Sequence, residues 1–315
     1  MLHNTLRCVI QAGLLVCLAL YAAGSLAAGY SRLIVFGDSL SDPGNAFTLT
    51  GMQTLPPYDT LDMFLVPSAP YATGGHHLSN GATWIEQLGQ ALRLGRSAGP
   101  AWRNPGVFFN YAVGGARARD DGLNLNLTDQ VAAFTALPKL AELLDGALVV
   151  LWIGGNDVRD ASVNSDPTLL AAAITSIQDN IIGLHGAGAR DFLIGNAPDI
   201  GLIPSIQLAD AMFPGLAAGA TQATQGFNAA LGQLLDTLAT GLPGISFKRL
   251  DSFKFIRDAV AGNFGLANTR DACVTPGVPP FSCRKPDGYL FWDGVHPTRA
   301  GHAILAGQAR ALLAP

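Results

Sequence analysis

Leu33-Ile34-Val35-Phe36-Gly37-Asp38-Ser39-Leu40-Ser41-Asp42 is the stretch on which the reading of this chain turns. Four apolar residues in a row predict a short strand buried on both faces, as in a parallel sheet covered by helices. Gly-Asp-Ser ends the run and sets the Ser39 hydroxyl at the strand's carboxyl end, where open α/β sheets bind their ligands. A serine hydroxyl is a weak nucleophile until a base takes its proton, and an imidazole oriented by a carboxylate is a suitable base. About 250 residues later, Asp293-Gly294-Val295-His296-Pro297 supplies both groups.

The same rhythm of short apolar runs and longer amphipathic stretches continues along the chain. Strands are predicted at 33–36, 107–110, 147–153, 192–194 and 245–250. Thr83-Trp84-Ile85-Glu86 has the form of a capping box and leads into an apolar stripe of Trp84, Ile85, Leu88 and Leu92. Asp166-Pro167 reads as an N-cap with proline at the first helical position, followed by the face Leu170, Ala173, Ile174, Ile177 and Ile181. His296-Pro297 opens the last helix, with Ala300, Ile304, Gly307 and Ala311 predicted to face inward. The class is therefore α/β, in one domain. Ser39, Gly115 and Asn156 each follow a predicted strand, so all three should meet on the sheet's carboxyl edge.

Composition supports a well-buried core: 49% of the 315 residues are apolar and only 13% charged. A net charge of −4 without a basic cluster excludes nucleic acid as the expected partner. Residues 1–28 read as a secretory signal peptide, with one Arg, a long apolar or small stretch and a small-residue end, leaving a domain of 29–315. The expected location is the periplasm or medium. Cys8 and Cys17 fall in that leader, so Cys273 and Cys283 remain to form a disulfide in an exported chain. Two thiols without a correctly spaced third ligand are a poor zinc site.

Asn110-Tyr111-Ala112-Val113-Gly114-Gly115-Ala116 and Gly154-Gly155-Asn156-Asp157 complete the picture. With the Ser39 and His296 segments, these fragments resemble the four sequence blocks of the GDSL, or SGNH, family of esterases and lipases, in the family's order. The resemblance implies a three-layer α/β/α, flavodoxin-like parallel sheet (the SGNH hydrolase fold) with the first strand inside the sheet. It implies Ser39 as nucleophile, His296 as general base and then acid, and Asp293 as the carboxylate orienting the imidazole. Oxyanion donors would be the backbone N–H of Ser39, the backbone N–H of Gly115 and the side-chain amide of Asn156. Gly114 is an alternative donor; Gly115 matches the block as the fifth residue after Asn110. Neither metal nor cofactor is called for, and the substrate is expected to be a small-molecule or lipid ester, with no obligate protein partner evident.

Hydrolysis and acyl transfer to an alcohol or sterol need the same residues, so both stay open. Residues 51–75, rich in proline and aromatics, form either a wall or lid of the site or a plain surface loop. Asp42, Asn45, Asn80 and Asp157 are expected to be structural. His76 and His77 are expected on an exposed loop, His185 and His302 within helices as packing or surface residues, and Asp120 and Asp121 in a solvated loop. Tyr289 and Trp292 either line a pocket or pack.

Overall fold

The computed structural model describes residues 29–314; the leader expected at 1–28 lies outside the described residues. The chain begins with β1 (Arg32–Gly37), followed by the helices α1 (Asn45–Thr50), α2 (Trp84–Ala91), α3 (Leu127–Thr135) and α4 (Leu140–Leu144). Then come β2 (Ala147–Trp152), α5 (Gly155–Asn164), α6 (Thr168–Ala187), β3 (Asp191–Gly195), α7 (Pro204–Asp210), α8 (Leu216–Gly241) and β4 (Ser246–Leu250). The last part holds α9 (Ser252–Val260), β5 (Asn268–Ala272), β6 (Tyr289–Phe291) and α10 (Arg299–Leu313).

The main sheet is parallel, in the order β1-β2-β3-β4. The strand expected at 107–110 is reduced to isolated bridges, of which the one between Val35 and Asn110 joins it to β1. Pro105 and Gly106 precede it, and Asn110 ends it by turning its side-chain oxygen back to the Ala112 N–H. Even so, Val35 N–H donates to Phe109 O at 2.9 Å, and Tyr111 N–H donates to Val35 O at 2.8 Å. Backbone groups of successive strand residues point to opposite sides, so this segment lies on the edge of β1 away from β2. β1 is thus the edge strand of the four-stranded sheet, correcting the inside position that the resemblance implied, and the 109–111 segment covers its free edge through these two hydrogen bonds.

Register then decides which helix covers which face. Leu33 and Val35 share a face with Leu148, Val150 and Trp152, and Trp152 packs edge-on against Trp84 of α2. Ile34 and Phe36 point the other way, where Phe36 meets Phe134 of α3. α2 and α10 pack together on the first side, and α3, α5, α6 and α8 contact one another on the second. The result is three layers, α/β/α.

One helix start matches expectation and one differs slightly. α2 has its capping box, with Thr83 N–H donating to the Glu86 carboxylate at 2.8 Å. α6 starts one residue late, at Thr168, whose N–H donates to Asp166 Oδ1. The inward face of α10 is also corrected. Thr298 is the cap, accepting from Gly301 N–H, and the buried residues are Gly301, His302, Leu305, Ala306, Ala309 and Leu313. Gly307 and Ala311 are exposed. One residue of phase rotates a helix face by about 100°, which is the whole error.

A second, smaller core holds Tyr58, Tyr71, Cys273, Val274 and Trp292. It joins the 51–75 stretch to the segment that leads into Asp293. The rings of Tyr58, Tyr71 and Trp292 meet edge to face, and Cys273 and Cys283 are joined by a disulfide. Trp292 and Tyr289 therefore pack rather than line the cleft. Replacing both cysteines by serine is expected to cost about 2–3 kcal/mol on the loop-entropy account. Urea denaturation of the double variant checks this; an unchanged midpoint would show that the aromatic cluster alone holds the loop.

Candidate active site

Asp293 begins the loop between β6 and α10 and is fully buried. A carboxylate can only accept hydrogen bonds, and burial demands that its lone pairs be engaged. Val295 N–H and His296 N–H donate to Oδ1 at 2.8 and 2.7 Å. The His296 ring reaches it through Nδ1, 2.8 Å from Oδ2. Tyr71, from the other end of the chain, donates its hydroxyl to Oδ2 at 2.9 Å. Because a carboxylate accepts, Nδ1 is the donor of this pair, and Nε2 is the ring nitrogen left free for a second partner. Gly294 has no room for a side chain: its Cβ would collide with Phe64 O, and its N–H donates to Leu65 O at 2.8 Å.

Ser39 leaves β1 at the carboxyl edge. Its loop is fixed by buried side chains. Gln130 brackets Gly37, accepting its N–H at 2.9 Å and donating to its carbonyl at 2.8 Å. Asp42 accepts four backbone N–H groups, from Gly44, Asn45, Ala46 and Gly114. Asn45 donates to Asn110 O and Ala112 O, and Asn110 donates to Ser41 O. The loop after β1 is thereby tied to the loop that carries Gly115. Asp42 thereby occupies the Gly114 N–H. Among the described residues, the N–H groups of Ser39 and Gly115 make no hydrogen bond.

Asn156 is the second residue of α5, immediately after β2. Gly154 before it has φ 112°, and a Cβ there would strike the Phe227 ring, so only glycine makes this turn. Gly155 carries no such restriction. Asn156 Nδ2 donates to Ala116 O at 2.9 Å, which uses one amide hydrogen and leaves the other. Asp157 fastens α5 to the Gly115 loop by accepting from Ala118 N–H and Arg119 N–H. Asn80 and Ser79 hold the start of α10, accepting from Arg299 N–H and donating to Pro297 O. All four residues expected to be structural are so.

These loops surround one cleft. Ser39 and Asn156 line it with Val295 and Pro297, the two neighbours of His296. Apolar walls come from Leu40, Trp152, Ile200, Ile203, Phe255 and Phe291. Gly115 is not among the lining residues and stands behind, joined through Ala116 to Asn156. Burial pushes the Asp38 carboxyl up to about 6, against the pull of Leu40 N–H and nearby His296. No cluster suited to a metal ion occurs among the described residues.

A family model described as GDSL-like Lipase/Acylhydrolase matches residues 33–308, from β1 into the last helix. The chain belongs to the GDSL-like lipase/acylhydrolase family. With that family it is a carboxylic ester hydrolase. A GDSL esterase/lipase of Arabidopsis thaliana is 27% identical over 86% of this chain and 87% of its own length. The phosphatidylcholine-sterol acyltransferase of Aeromonas hydrophila is 28% identical over 94% of this chain and 93% of its own. Among solved structures, an acetylxylan esterase from Geobacillus stearothermophilus is similar with a TM-score of 0.48 at 15% identity, covering 91% of this chain and 96% of that one.

The remaining sequence candidates sort themselves. His76 is part-buried, correcting the exposed position expected, and stacks on Phe47. His77 is buried, correcting the expectation: burial opposes its protonation, yet the Glu86 carboxylate 2.9 Å away raises its pKa. His302 is buried in α10, and burial pushes it down to about 3. Asp121 ties its own loop, accepting from Leu123 and Asn124 N–H and from the Asn126 amide. Tyr71, Gln130 and Arg159 escaped the sequence reading. Tyr71 has no motif around it, whereas Arg159 was findable as the residue one helical turn after Asn156.

Two outcomes are expected. Asp38 is protonated more readily in the folded chain, at about 6, than at its ordinary 3.8, so it stabilises most below that ordinary value. That contribution is lost as pH rises through 6. Asp38→Asn should therefore match wild type near pH 4 and gain about 2–4 kcal/mol over it by pH 7, read from urea midpoints. A difference that stays flat with pH would contradict this. Tyr71→Phe should lower stability by about 1–3 kcal/mol, since it leaves a buried carboxylate oxygen short of one donor. Calorimetry showing an unchanged transition would refute that account.

Proposed function

We propose that this chain hydrolyses carboxylic esters through an acyl-enzyme on Ser39, with His296 as base and Asp293 as its orienting carboxylate. One observation carries the reading: the buried Asp293–His296 pair stands in a loop whose Val295 and Pro297 line the same cleft as Ser39 and Asn156. His296 Nε2 takes the Ser39 proton as Oγ attacks the ester carbonyl, and then gives it to the leaving alcohol. Asp293 holds the ring through Nδ1 and stabilises the imidazolium. The developing oxyanion takes hydrogen bonds from Ser39 N–H, Gly115 N–H and the unused Asn156 amide hydrogen. Supporting this, the two backbone donors are unengaged among the described residues, and the Ala116 carbonyl fixes the Asn156 amide. Water attacking the acyl-enzyme, activated by the same imidazole, completes the cycle.

The protein is proposed to work outside the cytoplasm after removal of residues 1–28. The disulfide supports that location. Among the described residues, no helix is long and apolar enough to cross a membrane. A second reading, acyl transfer, is favoured by the similarity to the phosphatidylcholine-sterol acyltransferase of Aeromonas hydrophila. It differs only in the acceptor that attacks the acyl-enzyme. The ratio of free acid to new ester formed with a sterol present separates the two.

Ser39→Ala and His296→Ala should each lower kcat by about a thousandfold or more on a short-chain ester, and Asn156→Ala by roughly a hundred- to a thousandfold. Steady-state kinetics on the three purified variants decides it. Full turnover in Ser39→Ala would remove the hydroxyl from the mechanism.

A further inference from the structure

One helical turn beyond Asn156 stands a cation without a counterion. Arg159 lines the cleft together with Ser39 and Asn156, and it also lines an adjoining hollow with Phe64, Val66, Val163 and Phe213. Among the described residues its side chain makes no hydrogen bond and no ion pair. Its neighbours are satisfied. Arg117 and Arg119 bind Asp160 at 3.0 and 2.8 Å, and Arg119 also reaches Asp157. The other carboxylates whose field reaches Arg159 are engaged as well: Asp38 accepts from Leu40 N–H, and Asp62 from Phe64 and Val66 N–H. Burial pulls the guanidinium below its ordinary range, and the fields of Asp160, Asp38 and Asp62 oppose this without any of them forming an ion pair with it.

Such a group is costly unless something pairs with it. A purely structural arginine would take a partner from the fold, as Arg117 and Arg119 do. Helical spacing gives the distance. Asn156, Arg159 and Val163 recur every three or four residues on one face of α5, so Arg159 lies about 4.5 Å along the axis from Asn156. With an ester carbonyl held at Asn156, a substituent a few bonds away meets the guanidinium. Its planar fork matches the paired oxygens of a carboxylate or phosphate.

We infer that Arg159 is a specificity-determining residue that selects esters carrying an anionic oxygen group, carboxylate or phosphate, a few bonds from the scissile carbonyl. This rests on the hydrolase reading above and deepens it by naming the substrate class.

Two matched pairs of esters test it on the full mature chain. Monomethyl succinate against dimethyl succinate places the anion on the acyl side. Butyryl glycerol 3-phosphate against monobutyrin places it on the alcohol side. For wild type, kcat/KM should favour the anionic member of at least one pair, and that pair identifies the source of the anion. Arg159→Gln should lower this anionic-over-neutral ratio by about tenfold or more, and Arg159→Lys should restore part of it. A ratio unchanged in both variants, including an equal loss on all four esters, overturns the inference while leaving ester hydrolysis intact. Wild type that turns over none of the four, nor any short-chain ester, sinks the hydrolase reading itself.

Discussion

A carboxylate sealed from water must have its oxygens engaged, and Asp293 organises the carboxyl edge of the sheet around that requirement. Two of its donors are backbone N–H groups two and three residues on, which forces the loop into a tight turn. A third is the imidazole, whose orientation follows. The fourth comes from Tyr71, more than two hundred residues away in sequence. To deliver that hydroxyl, the 51–75 stretch must fold over the loop, bury Tyr58 and Tyr71 against Trp292, and lay Phe64 and Leu65 across Gly294. The disulfide and the small aromatic core are then consequences of one buried charge.

The other loops of this edge are held by the same kind of device. Strand ends leave backbone groups without ladder partners, and short polar side chains complete them. Asp42 gathers four N–H groups, Asn45 two carbonyls and Asp157 two N–H groups, each bridging segments far apart in sequence. These ties consume the Gly114 N–H and spare those of Ser39 and Gly115. On the mechanism proposed above, these two free donors serve the oxyanion at no cost of rearrangement when charge develops.

Much of this was legible in the sequence because the chemistry is local. The run before Ser39, the Asp-x-x-His spacing and the glycines before Asn156 each encode a strand, a turn or a side-chain pair within a few residues. What escaped depends on distance or phase. Tyr71 has meaning only through a contact across the fold. The segment 107–110 has strand composition, but Asn110 spends its side chain on a turn and leaves a single bridge to β1 in place of a ladder. The face of α10 was misjudged because Thr298, not His296, caps it. His77 was placed on an exposed loop because its partner Glu86 sits on another element.

The ties on the 51–75 stretch also bear on where substrate selection resides. Moving this stretch as a lid would withdraw the Tyr71 hydroxyl and the Leu65 carbonyl, and would admit water to Asp293. The loop that orients His296 would loosen with each opening, so the stretch is better suited to a fixed wall. Access then falls to the mouth of the cleft, where α5 runs outward from Asn156 past Arg159 to Val163. The cleft walls are apolar and sort acyl groups by size and shape, which discriminates weakly per methylene. An uncompensated guanidinium in a half-buried setting discriminates far more sharply, because a neutral ligand leaves it unpaired while an anion completes it. Selection by charge on α5 and reaction at the loops can thus vary independently, since the Arg159 side chain makes no hydrogen bond among the described residues that the Ser39, Gly115 or His296 loops depend on.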